Sequence, residues 1–369
     1  MISNILLKME SNIDKLISTK ANNLYESNNL LAQKLFNVFD KGTIYSPLSI
    51  AYILSLLHMG AIKNTDKQLT ILMGLKNTFD DLVSVSKTFN NNVVKLANAI
   101  LVNSEMPIKV EYLDMARKLA LVSNEDFNDT KAVVRKANHF IEENTNGLIK
   151  DILNEDTIDQ DSIMILINTL YLKTKWANPF KTKKTKQELF NDLINVNMMC
   201  NTKKYPYFED INVQIVELPY ENRDFCMGFI LPKNKNQFNI CCNYLCNNID
   251  YPMNYIEIHI PKFTQRKNTN LIQYLIELGL TDIFCEKSKM DNMISAGKTA
   301  YVSAMIHEAV IIVDENGIEA AASTIAVVKM ECCIVNPEPK IFYANHSFVY
   351  YIKHIPTNTL LIVGDYHGN

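Results

Sequence analysis

The side chains best suited to covalent chemistry are the cysteines, and two of the eight, Cys332 and Cys333, stand next to each other. A thiolate beside a base would be a nucleophile, and two thiols a redox pair. The local chemistry speaks against both readings. Adjacent cysteines do not easily reach good disulfide geometry, and no oriented His–Cys arrangement is legible nearby. The remaining cysteines, Cys200, Cys226, Cys241, Cys242, Cys246 and Cys285, contain no C-x-x-C pair. The lysines of KTKKTK (residues 181–186) could hold a polyanion, but a solvated turn also accounts for them. G-x-S-x-G, H-E-x-x-H and a glycine-rich phosphate loop are all missing. The expectation is a protein that is not an enzyme and uses neither cofactor nor metal.

The elements that would carry any site follow from composition and periodicity. With 37 basic and 40 acidic side chains in 369 residues, the net charge is −3, which excludes nucleic-acid binding through bulk charge. An apolar fraction of 47%, with 11 prolines and 10 glycines, describes a packed globule. Length alone suggests roughly two or three domains, although large mixed sheets exceed that prior. Leu31, Leu35 and Phe39 recur at helical spacing, and Ser46-Pro47 supplies an N-cap followed by proline at the first helical position. Residues 49–59 are apolar nearly all round, which predicts a helix buried on most sides. Another helix is predicted over residues 132–143, stopping near Asn146-Gly147.

After about residue 160 the pattern changes. Residues 163–172 are almost continuously apolar, as in a strand covered on both faces, and Ile256, Ile258 and Ile260 alternate with Glu257 and His259. Further strands are predicted at 214–218, 226–231, 309–313, 348–353 and 360–363, with one helix at 271–278. Helices mainly first and strands mainly later predict an α+β fold. The stretch Ile5 to Leu7 is too short for a signal-peptide core, and no run of about 18 apolar residues exists. A cytoplasmic chain with reduced thiols is therefore expected, with no membrane partner and no nucleic acid.

One segment fits no resting element. Residues 313–340, VDENGIEAAASTIAVVKMECCIVNPEPK, follow a strand but have no turn chemistry between Ile318 and Val335 and no proline between Asp314 and Asn336. A structureless loop of roughly twenty residues is improbable in a compact domain unless it is functional. A helix through the alanines, or one more buried strand, would also accommodate it. As a strand it would show Ile318, Ala320, Ala322, Thr324, Ala326 and Val328 on one face and Glu319, Ala321, Ser323, Ile325 and Val327 on the other. A central strand accepts no proline, and an unpaired buried charge costs several kcal/mol. A dozen new ladder bonds at about 1 kcal/mol net each would favour insertion by roughly 10 kcal/mol before ordering costs. The segment is compatible with both an exposed loop and an inserted strand.

The order and spacing of many separated motifs resemble the serpins from about Leu30 to Gly364. They include SPLSI (46–50), HMGA (58–61), LANAILV (96–102), TNGLI (145–149) and INTLYLKTKWANPF (167–180). The series continues through VNMM (196–199), VELPY (216–220), PKF (261–263), LGLTDIF (278–284), VSAMIHEAVIIVDENGIEAAAST (302–324) and NHSF (345–348). The resemblance implies a single domain over residues 1–369, with three β-sheets, eight or nine helices and an exposed reactive-centre loop at approximately 315–343. It implies a suicide-substrate trap: a protease attacks the loop, an acyl-enzyme forms, and the loop inserts into the main sheet and distorts the protease. The chain is most similar to the intracellular poxvirus serpins. That implies a monomer in the cytoplasm of an infected host cell, whose partner is a host immune or apoptotic protease, serine or cysteine type, held as a covalent complex. A non-inhibitory serpin acting as a binding or chaperone-like protein is the alternative.

The same resemblance assigns residues. Glu315, Gly317, Ile318, Glu319, Ala320, Ala321, Ala322, Ser323 and Thr324 match the hinge where the loop enters the sheet, Ile318 replacing the usual threonine. Ser46, Ser49, Asn168 and His307 match the polar cluster beneath the sheet that governs its opening, with His307 a structural switch rather than a base. Trp176 matches the tryptophan at the top of that opening, where core packing is also a sufficient account. Family spacing puts the scissile bond after Glu331, before Cys332; a shift of one residue selects Met330 and a shift of two selects Lys329.

Overall fold

A computed structural model describes residues 23–89, 91, 93–159, 161–246, 251–295, 297, 299–318 and 338–368. Its helices are α1 (Leu24–Val38), α2 (Pro47–Gly60), α3 (Lys63–Met73), α4 (Phe79–Phe89), α5 (Val110–Ala116), α6 (Thr130–Asn144) and α7 (Ile272–Glu277). The early strands are β1 (Ile44–Tyr45), β2 (Val94–Asn103), β3 (Leu121–Glu125), β4 (Met164–Leu172), β5 (Thr174–Lys175), β6 (Lys186–Phe190), β7 (Ile194–Glu209) and β8 (Val213–Pro219). They continue with β9 (Phe225–Pro232), β10 (Met253–Pro261), β11 (Phe263–Asn270), β12 (Val302–Val313), β13 (Gly317–Ile318), β14 (Lys340–Tyr343), β15 (Phe348–His354) and β16 (Thr359–Tyr366).

Local chemistry explains the main boundaries. The Ser46 hydroxyl accepts from the Ser49 N–H and Pro47 opens α2, so the predicted start holds. Met59 is the one residue of α2 that is not buried, which is why its sequence shows no polar face. Helix α6 ends just before Asn146 and Gly147, both with positive φ, at 50° and 76°. The reading of the sequence did not name β2, β3, β6, β7 or β11 as strands. Strand β11, FTQRKNTN, is an edge strand with a single apolar residue, Phe263, so hydrophobic alternation was never there to find.

The main sheet runs β3-β2-β4-β12-β13-β5, with β11 pairing the other side of β12. Two further sheets are continuous through the sixteen-residue β7: Met198 to Pro206 pair with β10, and Tyr207 to Glu209 pair with β8. On one face of the main sheet Ile165, Ile167 and Ile306 pack with Val133, Ala137 and Ile141 of α6. On the other, Met164, Leu166, Leu170 and Met305 join a core shared with Leu48, Ile53 and Leu57 of α2. Strand β4 is buried along its whole length because helices cover both sides.

Among the described residues the sheet is not uniformly closed. Strands β4 and β12 pair in parallel from Met164↔Val302 to Thr169↔Glu308 and then part. Above that point β4 keeps its partner β2, and β12 keeps β11.

Candidate functional site

The chain itself enters this opening. Beyond β12 a tight turn is tied by Asp314, whose Oδ1 accepts from the N–H groups of Asn316 (2.7 Å) and Gly317 (3.1 Å). Residues 317 and 318 then run back antiparallel, with Ile318 opposite Val313 on β12 and opposite Thr174 on β5. Gly317 is demanded by geometry: its φ is +141°, and a Cβ would meet Thr174 O at 2.5 Å and the Lys175 Cα at 2.6 Å.

Trp176 closes the top of the opening. Its indole Nε1–H donates to Asp314 O (2.8 Å), its backbone N–H to Asn316 O (2.9 Å), and its ring stacks on Tyr220 at 4.7 Å. Glu315 is buried beside it, accepting from Thr185 Oγ1 (2.9 Å) and the Lys262 ammonium (3.0 Å). Burial alone would raise this carboxyl's pKa; hydrogen bonds from its own backbone, Lys262 and Thr185 outweigh it and hold the group below its ordinary value.

Where the two strands are still paired, a polar cluster lies between them and α2. His307 Nε2 accepts from the Ser46 N–H (3.0 Å), which leaves the proton on Nδ1; that N–H donates to Asn168 Oδ1 (2.7 Å). The Ser49 hydroxyl donates to the same Asn168 oxygen (3.1 Å). Complete burial lowers the His307 pKa to about 3, so the imidazole stays neutral. As one neutral donor–acceptor ring joining α2, β4 and β12, it is suited to fixing strand positions, not to proton transfer.

Helices packed on large mixed sheets are the α+β fold the motifs implied, and the Serpin (serine protease inhibitor) family model matches residues 26–368. The chain is a serpin. It is 37% identical to an uncharacterized serpin-like protein of Acanthamoeba polyphaga mimivirus, covering 93% of this chain and 89% of the relative. It is 28% identical to the leukocyte elastase inhibitor of Sus scrofa, over 92% of this chain and 98% of that protein. The crystal structure of Serpin48 from the insect Tenebrio molitor matches with a TM-score of 0.82, covering 96% of this chain and 97% of that one at 19% identity. This is a family of protease inhibitors and not of enzymes, consistent with a sequence that lacks any catalytic motif.

In this serpin the four residues expected to share a polar cluster are hydrogen-bonded together, and Trp176 touches the turn that leads into the hinge. Of the expected hinge positions, Glu315, Gly317 and Ile318 are placed; Glu319 to Thr324, and Lys329, Met330, Glu331 and Cys332, lie outside the described residues. Several participants were not singled out from sequence. Asp314, Phe180 (whose N–H donates to Glu315 O at 2.8 Å), Tyr220 and Lys262 sit inside motifs that carried the resemblance, whereas Thr185 had no signal because it lay in a run read as a lysine turn. Asn98, opposite Asn168 on β2, adds a buried amide with no partner among the described residues to the same face.

Proposed function

We propose that this serpin inhibits its target protease as a single-use trap whose loop inserts between β4 and β12. The observation carrying this reading is the antiparallel bridge of Ile318 to both β12 and β5, which sets a register for further insertion. Continued in step, Ala320 would stand opposite Ile311 and Leu172, Ala322 opposite Ala309 and Leu170, and Thr324 opposite His307 and Asn168. Both flanking strands give the same alignment, since His307 and Asn168 are themselves paired now. The small face of the segment would point toward α2, where space is limited, and no proline or charge falls on that face.

The chemistry belongs to the protease. Its nucleophile attacks the Glu331 carbonyl carbon, the Glu331–Cys332 bond breaks, and the new amine on Cys332 leaves with a proton while Glu331 stays bound as the acyl group. Insertion then carries that acyl-enzyme away before water can release it. Relatedness to a mimivirus protein supports a viral inhibitor; on this reading its target is a host immune or apoptotic protease, and Glu331 gives the loop an acidic preference. The unpaired state of all six described cysteines accords with action in the cytoplasm.

The test is incubation with a panel of granzyme B, caspases, trypsin, chymotrypsin and elastase. The expected result is a covalent complex, or stoichiometric inhibition, with a released peptide that starts at Cys332. Glu331→Ala should abolish inhibition with an unchanged melting curve; a peptide starting at Glu331 or Met330 would instead assign Met330 or Lys329. Cleavage by every enzyme without inhibition would overturn the trap and point to the binding-protein alternative.

A further inference from the structure

Away from the opening, Cys200, Glu257 and His259 come together on the sheet shared by β7 and β10. Residues 257 and 259 are two apart on β10 and project to the same face, and the register sets Cys200 of β7 directly opposite His259. The His259 Nε2 atom lies 2.9 Å from Glu257 Oε1 and 3.9 Å from Cys200 Sγ, and the three ligand atoms all fall within 4.8 Å of one another.

A nucleophilic triad would use the two imidazole nitrogens separately, one for the thiol and one for the carboxylate. Here both groups converge on the same nitrogen, the arrangement of a shared coordination sphere. Tetrahedral zinc with Zn–S of about 2.3 Å and Zn–N of about 2.0 Å spaces its ligand atoms roughly 3.3–3.6 Å apart, so small side-chain adjustments reach it. The geometry points to a single divalent transition-metal site, fitting Zn²⁺, with Cys200 thiolate, His259 Nε2 and Glu257 carboxylate as ligands and water in the fourth position.

The His259 Nδ1 atom has no partner among the described residues, and Nε2 is the nitrogen that Glu257 and Cys200 both face. Tyr343 packs edge-on against the His259 ring at 5.0 Å, and β14 pairs with β10 through Ile256 to His259. A metal would thus tie β7 to β10 directly beside β14, the strand in which the chain resumes after the reactive-centre segment.

Chelator-stripped full-length protein should bind one equivalent of Zn²⁺ in a competition titration against a chromophoric chelator. Loading with Co²⁺ should give thiolate-to-metal charge transfer and the visible bands of a tetrahedral centre. Cys200→Ala and His259→Ala should each weaken binding by at least about tenfold, and Cys200→Ala should remove the charge-transfer band. Glu257 is half-exposed, so Glu257→Gln tests the site without threatening the fold and should also weaken binding. Cys285→Ser, which alters an exposed thiol elsewhere, should leave it unchanged. Absence of saturable one-to-one binding, or full affinity in Glu257→Gln and Cys200→Ala together, would overturn the site.

Discussion

His307 shows how one side chain can be a fixed structural part and still set a pH dependence. Its tautomer is dictated from outside: a backbone N–H can only donate, so Nε2 must accept from Ser46, and Nδ1–H is aimed at Asn168. His307→Ala would strand the Ser46 N–H in the core and leave a cavity, at a cost of roughly 2–4 kcal/mol. His307→Gln offers one donor and one acceptor and should cost less; urea denaturation distinguishes the two. The folded pKa is about 3, below the ordinary 6.5, so an unfolded chain binds a proton in acid that the native state refuses. Stability is therefore full above 6.5 and declines as pH falls toward 3, and His58, lowered to about 4 by burial, acts in the same sense. Between pH 6.5 and 4.5 one such histidine removes roughly 2–3 kcal/mol. Melting temperature should drop over that window, and His307→Gln should flatten the profile.

At the level of elements, the proposed trap rests on two strands that pair for part of their length and a turn that begins to fill the remainder. Gly317→Ala places a Cβ against the backbone of Thr174 and Lys175 in a left-handed conformation, which costs about 1–3 kcal/mol. It should displace residues 317 and 318 from the bridge and slow insertion. The expected result is a higher stoichiometry of inhibition, with more cleaved loop per trapped protease on gels and little change in the rate of initial cleavage. An unchanged stoichiometry would mean that entry at Gly317 does not limit insertion. Insertion of a full strand would also part His307 from Asn168 by one further strand spacing, about 4.8 Å, so their 2.7 Å hydrogen bond cannot survive it. The cluster would then have to exchange partners: the extrapolated register brings Thr324 opposite both residues, and Asn98 on the same face has no partner among the described residues.

For the whole molecule the proposed trap requires metastability: among the described residues β4 and β12 do not pair with each other beyond Thr169 and Glu308, and a cleaved loop would fill those ladder positions. Cleavage in the loop should raise the melting temperature by roughly 10–20 °C, from a dozen added ladder bonds less the ordering cost. Trp176 is the only tryptophan, and its indole is held by the turn at Asp314. Its emission should therefore change in step with insertion and report the rate without a label. A cleaved protein with unchanged melting temperature and unchanged emission would rule out insertion.

Helix α2, strand β4 and the alternation in β10 were legible in the sequence because each is set by local periodicity, capping and burial on known faces. The α+β class and the capacity of residues 318–328 to lie in a sheet followed from the same local chemistry, and the ordered motifs carried the family. Tertiary structure alone decided where β4 and β12 part, that Thr185 and Lys262 hold Glu315, and that Cys200 meets His259 across 59 positions of chain. Those contacts depend on strand register between distant segments, and register is fixed by what packs on both faces of a sheet at once, information that no single stretch of sequence contains.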